Sequence, residues 1–353
     1  MEITVNTEGA YLHVREGMFE VRIKEKDNAT VRTQQIAVHK VRTIALSERT
    51  MLSASAVKLA LQHNVDIVFL AHDGFPIGRL WHSKLGSTTK IRKRQLEASL
   101  TTEGVVFTKN WIIRKVENQL DFIKDLKKHR AQHADFLNDK ISKLEALIIS
   151  IQTLEGRKVS DIADILRGLE GTAGRLFFET VSYVFPKDYQ FSGRSMRPAH
   201  DAFNAMLNYG YGILYRRVEK ALIMAGLDPF VGFFHRDDYN QKSMVYDFIE
   251  PYRVWIDESV FRLFSGKKVN KAHLLDLSLA RKVPNTEGVK MGIGLTKEGK
   301  ELVATQVINF LDDEGVRYKN KNQTRGNILQ LEAHGFAQML LDKKEEDFDI
   351  QSL

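Results

Sequence analysis

The spacing of apolar and polar residues changes at about residue 85. Before this point, short alternating runs such as AYLHV, FEVRIK and VRTIAL predict β-strands, and REGM predicts a turn. One helix interrupts them at SASAVKLALQHN, where Ser53 is a typical N-cap residue. The run DIVFLAHDGFPIGRLWHS predicts two more strands around an Asp73-Gly74 turn. These patterns predict a small β-rich domain.

Beyond residue 100 the pattern becomes helical. Two long amphipathic segments fill residues 105–152 and break near His133. Ser160 is predicted to cap a short helix ending near Arg167, with a second helix from Leu169 to Phe185. A further helix, closed by Gly226, has one apolar face: Leu207, Tyr211, Leu214, Val218, Leu222 and Ala225. We predict an α+β chain with a β-rich domain at 1–85, a charged linker at 86–100 and a larger all-α domain at 101–353.

Composition excludes several classes of protein. Of the 353 residues, 43% are hydrophobic and 27% charged, which is typical of a globular chain. No segment approaches the roughly 20 apolar residues of a membrane span, and the N-terminus lacks a signal-peptide pattern, so we expect a cytoplasmic protein with no membrane partner. The absence of cysteine excludes disulfides, thiolate zinc sites and cysteine nucleophiles.

The charge distribution is compatible with a polyanionic partner. Lys and Arg number 52 against 45 Asp and Glu, for a net charge of +7. Two basic runs, Lys84–Gln95 and Lys124–His133, either contact phosphates or form ordinary solvated surface, whereas the C-terminal KKEEDFDIQSL is acidic.

Candidate chemistry lies in GLDPFVGFFH and VYDFIEPYR, which carry His235, Asp247 and Glu250. A buried carboxylate costs several kcal/mol unless it is paired or binds a metal, so acids among aromatics need a partner. If the segment is helical from Met244, the two acids share a face, and Pro251 ends or kinks that helix. Taken alone, the acidic pair also fits a helix surface, and the histidine fits a hydrogen-bonded core residue.

A third carboxylate changes this interpretation. Glu170 lies beside Gly168, Gly171 and Gly174, whose three-residue spacing indicates close approach of a backbone or a phosphate. Two or three carboxylates with one imidazole, and no sulfur, suit Mg²⁺ or Mn²⁺, the ions that activate phosphoryl oxygens. The chain has no P-loop, no dinucleotide-binding turn, no G-x-S-x-G and no H-E-x-x-H.

The chain resembles the Cas1 family of CRISPR-associated endonucleases and integrases over nearly its whole length. LEGTAGRLFFE resembles the family's catalytic-glutamate helix, FSGRSMRPAHDAFNAMLNYGYGILY its arginine-rich loop and following helix, and GLDPFVGFFH with VYDFIEPYR its histidine and paired-acid segment. LTKEGK, TRGNILQLEAHGFAQML and DGFPIGRLWH are also similar to family segments.

The resemblance implies a role for each matching residue. Glu170, His235 and Glu250 match the metal ligands of the family, and Asp247 matches a catalytic aspartate one turn earlier. Asp201 and Asn204 also match, as a helix cap and structural hydrogen-bonding groups. Three further residues match weaker DNA-binding positions: Arg194, Arg197 and Tyr215.

The implied function is insertion of spacer DNA into the CRISPR array by metal-dependent phosphoryl transfer from a 3′ hydroxyl, carried out by the all-α catalytic domain. The implied partners are double-stranded DNA (the prespacer and the CRISPR repeat), a second copy joined through the β-rich domain, and the small protein Cas2. Two alternatives are a catalytically silent DNA-binding scaffold of the same fold and a generic divalent-metal nuclease.

Overall fold

The computed structural model describes residues 2–24, 31–41, 43–63, 65–71, 76–80, 87–235, 241–277 and 292–342. Among these, residues up to 94 with 220–227 and 337–342 form one compact unit, and 95–219 with 228–336 form another. The predicted α+β class is confirmed, because strands dominate the N-terminal part and helices most of the remainder.

The first unit contains two four-stranded sheets. One has the order β1-β5-β7-β8, where β8 is antiparallel and the other strands are parallel: Glu2–Val5, Thr43–Ser47, Asp66–Leu70 and Pro76–Leu80. The other has the order β4-β3-β2-β6 and pairs β6 in parallel with β2: Val31–Ile36, Met18–Lys24, Tyr11–Arg15 and Met51–Leu52. Their apolar faces share one core, which includes the fully buried Leu12, Phe19 and Ile44.

Local sequence signals explain this unit. The predicted REGM turn joins β2 to β3, with Glu16 and Gly17 at positive φ of 52° and 73°. Helix α1 (Ala54–Gln62) begins after Ser53, whose side chain accepts a 3.2 Å hydrogen bond from the Ala56 amide, as predicted. Strands β7 and β8 pair as expected, although the Asp73-Gly74 turn lies outside the described residues.

The stretch that the sequence analysis assigns to a charged linker contains a helix, α2 (Ser87–Ser99). Its residue Gln95 is completely buried. The Gln95 side chain donates 2.8 Å hydrogen bonds to the carbonyls of Asp228 and Val231 and accepts one from the Asp228 amide. These bonds fix the start of the segment that leads to His235.

The second unit is built around three long helices: α3 (Thr102–Lys128), α4 (Ala134–Gln152) and α5 (Val159–Tyr183). The remaining helices of the described chain are α6 (Ala202–Met224), α7 (Ser243–Phe248), α8 (Arg253–Ser265), α9 (Lys297–Ile308) and α10 (Arg325–Asp342). Two small hairpins join them, β9–β10 (Leu274–Asp276, Ile293–Leu295) and β11–β12 (Gly315–Tyr318, Lys321–Thr324). Within the described ranges, no helix is long and apolar enough to cross a membrane.

The helix boundary predicted at Ser160 is wrong. Residues 159–183 form one continuous helix, and Asp161 rather than Ser160 closes its start by accepting hydrogen bonds from the Arg157 and Lys158 amides at 3.0 and 3.1 Å. Glycine costs only about 1 kcal/mol in a helix, and the continuous buried face of α5 outweighs that penalty. That face includes Ile162, Leu166, Ala173 and Phe177.

The predicted buried face of α6 is confirmed, and Gly226 follows the helix at φ 85°. Within the second unit, α6 also approaches α8 closely. A Cβ added at Gly210 would lie 2.7 Å from the Ile256 side chain, so only glycine permits this approach. The contact places Tyr211 and Tyr215 of α6 beside the residues that follow α7.

Candidate active site

Asp247 is the hydrogen-bonding centre of the His235 segment. Its carboxylate accepts hydrogen bonds from the amides of Phe233 (2.5 Å), Phe234 (2.9 Å) and His235 (3.0 Å), and from His235 Nδ1 (2.6 Å). Gly232 makes this possible, since a Cβ there would lie 2.4 Å from the Ser243 Cβ and 3.1 Å from Asp247 Oδ2. Asp247 therefore orients the histidine, and both of its oxygens are fully engaged.

The chain ends α7 at Phe248 and forms a short 3₁₀ turn over Glu250–Tyr252, which confirms the helix break predicted at Pro251. The Asn118 side chain donates a 2.7 Å hydrogen bond to the Pro251 carbonyl. Because of the break, Asp247 and Glu250 do not present one shared pair of ligands. Asp247 binds the His235 segment, whereas Glu250 contacts a separate set of cations.

Glu250 is held by two cations although it is only 2% exposed. Arg253 Nε donates to Glu250 Oε1 at 2.8 Å, and the Lys115 ammonium lies 2.6 Å from Oε2. Burial raises the pKa of Glu250, but the charges of Arg253 and Lys115 outweigh it and bring the pKa to about 2. Glu250 is therefore ionised at neutral pH.

Glu170 reaches the same ammonium from helix α5. Lys115 Nζ donates to Glu170 Oε1 at 2.5 Å, so one cation bridges carboxylates from two separate elements. Burial lowers the pKa of Lys115, but the charges of Glu250 and Glu170 outweigh burial and raise the pKa above its usual value. The bridge brings together two of the residues that the sequence groups in one candidate site.

His235 is bound to Asp247 and feels the charges of both glutamates. Burial lowers the pKa of His235, while the hydrogen bond and charge of Asp247, followed by the charges of Glu250 and Glu170, raise it above its usual value. Because Nδ1 donates to Asp247, the neutral ring presents the Nε2 lone pair. This is the arrangement in which a carboxylate orients a metal-binding histidine.

The described residues contain no ready-made group of three histidine, cysteine or acidic side chains placed to hold a metal. Their chemistry nevertheless fits a hard divalent cation. Glu250 Oε2 is buried, and its partner among the described residues is the Lys115 ammonium, 2.6 Å away. Lys115 already places a positive charge between the two carboxylates, so the site is built for a cation.

A cavity of about 1240 Å³ opens beside Glu170, bounded by α5, α6 and the loop between them. Four arginines and six aromatic residues line its wall: Arg175, Arg194, Arg197, Arg253, Phe136, Phe178, Phe191, Tyr183, Tyr211 and Tyr215. Guanidinium groups bind phosphates and aromatic rings stack on bases, so this lining suits a nucleic-acid strand.

The three predicted DNA contacts line this cavity in different ways. Arg194 is engaged by the protein, since it donates to Asn204 Oδ1 at 2.5 Å and to Asn208 Oδ1 at 2.7 Å. Arg197 is exposed and makes no hydrogen bond or ion pair with the described residues. The Tyr215 hydroxyl accepts a 2.8 Å hydrogen bond from Arg253, which ties Tyr215 to Glu250.

The loop is anchored as the sequence analysis predicted. Asp201 Oδ1 accepts a 2.8 Å hydrogen bond from the Asn204 amide at the start of α6, which confirms the cap. The Asn204 side chain also donates to the Gly193 carbonyl at 2.8 Å. Asn204 is completely buried, so it joins the arginine loop firmly to the helix.

The glycines of α5 leave the cavity wall open. A Cβ added at Gly168, Gly171 or Gly174 would meet no described atom within 4 Å. Gly171 and Gly174 line the cavity directly. No described protein element therefore accounts for their small size, and the space remains available to a ligand.

Several residues at the site carry no local signal in the sequence. Lys115 and Asn118 lie on α3, far along the chain from the carboxylates and the Pro251 carbonyl that they contact, and on an amphipathic helix they look like ordinary surface residues. Arg253 could have been found, because it stands three residues after Glu250. Asp257 is buried and accepts a 2.5 Å hydrogen bond from Tyr211, a contact that only the tertiary fold creates.

A strand-rich unit, a helical unit and a carboxylate–imidazole site beside an arginine-lined cavity define a class of protein suited to phosphoryl transfer on nucleic acids. Residues 3–283 match the family described as CRISPR associated protein Cas1, and the chain belongs to this family.

The comparisons extend over the whole chain. A protein from Archaeoglobus fulgidus named CRISPR-associated endonuclease Cas1 1 is 29% identical over 362 residues and covers 99% of each chain. A casposase bound to integration product aligns with a TM-score of 0.76 at 21% identity over 99% of each chain. A chain of a partial Cas6-RT-Cas1–Cas2 complex aligns with a TM-score of 0.71 at 19% identity, over 99% of this chain and 97% of that one.

Proposed function

We propose that this chain is a metal-dependent DNA endonuclease and integrase, which inserts spacer DNA into a CRISPR array by phosphoryl transfer from a 3′ hydroxyl. The observation that carries the proposal is the pair of carboxylates, Glu170 and Glu250, that converges on one cation beside an arginine-lined cavity. The family membership of the chain and the name of its Archaeoglobus relative support the same activity.

Glu170, Glu250 and His235 Nε2 would hold Mg²⁺ or Mn²⁺. When bound, the ion would polarise the scissile phosphate and offset charge in the five-coordinate transition state. Asp247 is a positioning residue, because it fixes the His235 ring and touches no reacting group. Arg253 keeps Glu250 ionised and oriented, and also hydrogen-bonds Tyr215.

The cavity would receive DNA. Arg197, which is exposed and faces it, supplies charge for a phosphate, and Tyr215 supplies a ring and a hydroxyl at the end nearest Glu250. Arg194 acts chiefly by shaping the loop, since its guanidinium is held by Asn204 and Asn208. The substrates are double-stranded, namely a prespacer and the CRISPR repeat.

The assembly we propose is a homodimer joined through the β-rich domain at residues 1–85, with residues 86–100 connecting it to the catalytic domain at 101–353, and with Cas2 as partner. DNA joined at two places needs two active sites, and a two-fold dimer provides them. The similarity to a chain of a Cas1–Cas2 complex supports the partner.

The test is strand transfer by the full chain on a plasmid with a CRISPR repeat, compared with a repeat-free plasmid, with and without Cas2. We expect joining of a 3′-hydroxyl fragment that depends on the repeat and on Cas2. A silent scaffold would bind DNA without cutting or joining it. A generic nuclease would cut both plasmids alike and join neither.

A further inference from the structure

Lys115 holds the candidate site together from a helix that carries none of its acids. Its ammonium lies 2.5 Å from Glu170 Oε1 and 2.6 Å from Glu250 Oε2. The residue is only 8% exposed, so the contact is shielded from water. The two carboxylates come from α5 and from the turn after α7, and Lys115 is the described cation that joins them.

The Lys115 ammonium reduces the electrostatic repulsion between the carboxylates of Glu170 and Glu250. Two carboxylates in one confined space repel each other unless a cation lies between them. Arg253 binds the other oxygen of Glu250, and Glu170 has Lys115 as its ion-pair partner among the described residues. Without Lys115, the facing oxygens of the pair would have no compensating charge until a metal arrived.

We propose that Lys115 is a resident cation, which preorganises Glu170 and Glu250 and competes with the divalent metal for them. The inference rests on the proposed metal site. It follows because the carboxylate oxygens that contact the ammonium are the donors a metal would need. A lysine ammonium is a compact point charge on a flexible stem, so it can leave without rearranging the backbone.

The same face of α3 offers a place for the displaced ammonium. Gln119 stands one turn beyond Lys115, lines the cavity and is only 2% exposed. Its Oε1 is buried and accepts no hydrogen bond from any described residue. A buried acceptor without a donor is costly, and the released lysine would satisfy it.

The test is Mn²⁺ binding to the full chain, measured by calorimetric titration in wild type and in Lys115→Met. Removal of the competitor should tighten the dissociation constant by at least about a hundredfold, because breaking a buried ion pair is strongly unfavourable. Metal-free Lys115→Met should melt at a lower temperature than wild type and gain more degrees on Mn²⁺ addition.

Lys140→Met is the matched control. Lys140 is equally buried and lies 2.9 Å from Glu179, a residue of the same cavity, but it contacts neither Glu170 nor Glu250. Its loss should leave Mn²⁺ affinity at the wild-type value. If Lys115→Met does not fold, Lys115→Gln, which keeps a donor toward Glu170 without the charge, serves in its place.

The outcomes separate the two levels of the proposal. Unchanged or weaker Mn²⁺ binding in the Lys115 variant would overturn the resident-cation role. If wild type and Glu170→Gln bind Mn²⁺ alike, the metal site itself is misassigned, and the proposed function fails first. Tighter binding confined to the Lys115 variant supports both.

Discussion

Asp247→Asn is the substitution that should reveal how the His235 segment is held. Asp247 is 2% exposed and accepts four hydrogen bonds, two on each carboxylate oxygen. Asparagine keeps one acceptor oxygen and turns the other side into an N–H₂ donor. Either orientation of the amide breaks two bonds and points a donor at two other donors.

The magnitude follows from those lost bonds. Hydrogen bonds to a charged group contribute about 1.5–3 kcal/mol each, so the loss of two corresponds to about 3–6 kcal/mol. For a folded unit of this size, in which each kcal/mol shifts melting by about 2–4 °C, that lowers the melting temperature by roughly 6–24 °C. The His235 ring also loses its fixed orientation, which should reduce metal affinity by about 10- to 100-fold.

The assay combines thermal melting with Mn²⁺ titration. Asp125→Asn is a suitable control, because Asp125 is exposed and accepts a 2.7 Å hydrogen bond from the Lys128 ammonium, away from the site. Its loss should cost under about 1 kcal/mol. If the Asp247 variant melts and binds Mn²⁺ like this control, the carboxylate does not position His235, and the reasoning is wrong.

Three other predictions concern charge. EDTA should abolish DNA cleavage and added Mg²⁺ or Mn²⁺ should restore it, whereas activity that persists in chelator would exclude the site. Arg197→Ala should flatten the slope of log affinity for DNA against log salt concentration by about one unit without changing the melting temperature. Arg194→Ala should also lower the melting temperature. An unchanged slope would make Arg197 an ordinary surface residue. Burial raises the pKa of Asp257 from 3.8 to about 7, so this carboxyl favours the folded state below pH 4 and that contribution is lost as the pH rises through 7. In wild type, the free energy of unfolding should therefore fall by up to about 4 kcal/mol over this pH range because of Asp257, and Asp257→Asn should remove that fall. If wild type and Asp257→Asn show the same dependence of the unfolding free energy on pH, the assignment is wrong.

Local patterns predicted most of the elements, because their causes are local. Ser53 caps α1, the Glu16–Gly17 turn joins two strands and Pro251 separates two helices, all from residues adjacent in the chain. The helix boundary predicted at Ser160 is wrong because α5 buries one continuous apolar face against neighbouring helices, and that packing cannot be predicted from the local sequence.

The residues of the candidate site also fall into two groups, those that the sequence indicates and those that only the fold brings together. Glu170, His235 and Glu250 stand out as polar residues among apolar neighbours, and the resemblance to a family supplies their grouping. Lys115 could not be found this way, because its partners lie on other elements and its own helix reads as amphipathic. The separate roles of Asp247 and Glu250 also needed the fold, since the same spacing fits a shared ligand pair.

The most direct test of the central claim is strand transfer by Glu170→Gln, measured with DNA affinity and melting on one preparation. Glutamine keeps the size of Glu170 but removes the charge needed to hold a metal, so strand transfer should fall by several orders of magnitude. Lys115 keeps its contact with Glu250, so melting should change by only a few degrees, and DNA affinity should hold because it derives from dispersed basic residues. A variant that integrates at the wild-type rate, or one that loses activity only because it melts early, would contradict the account.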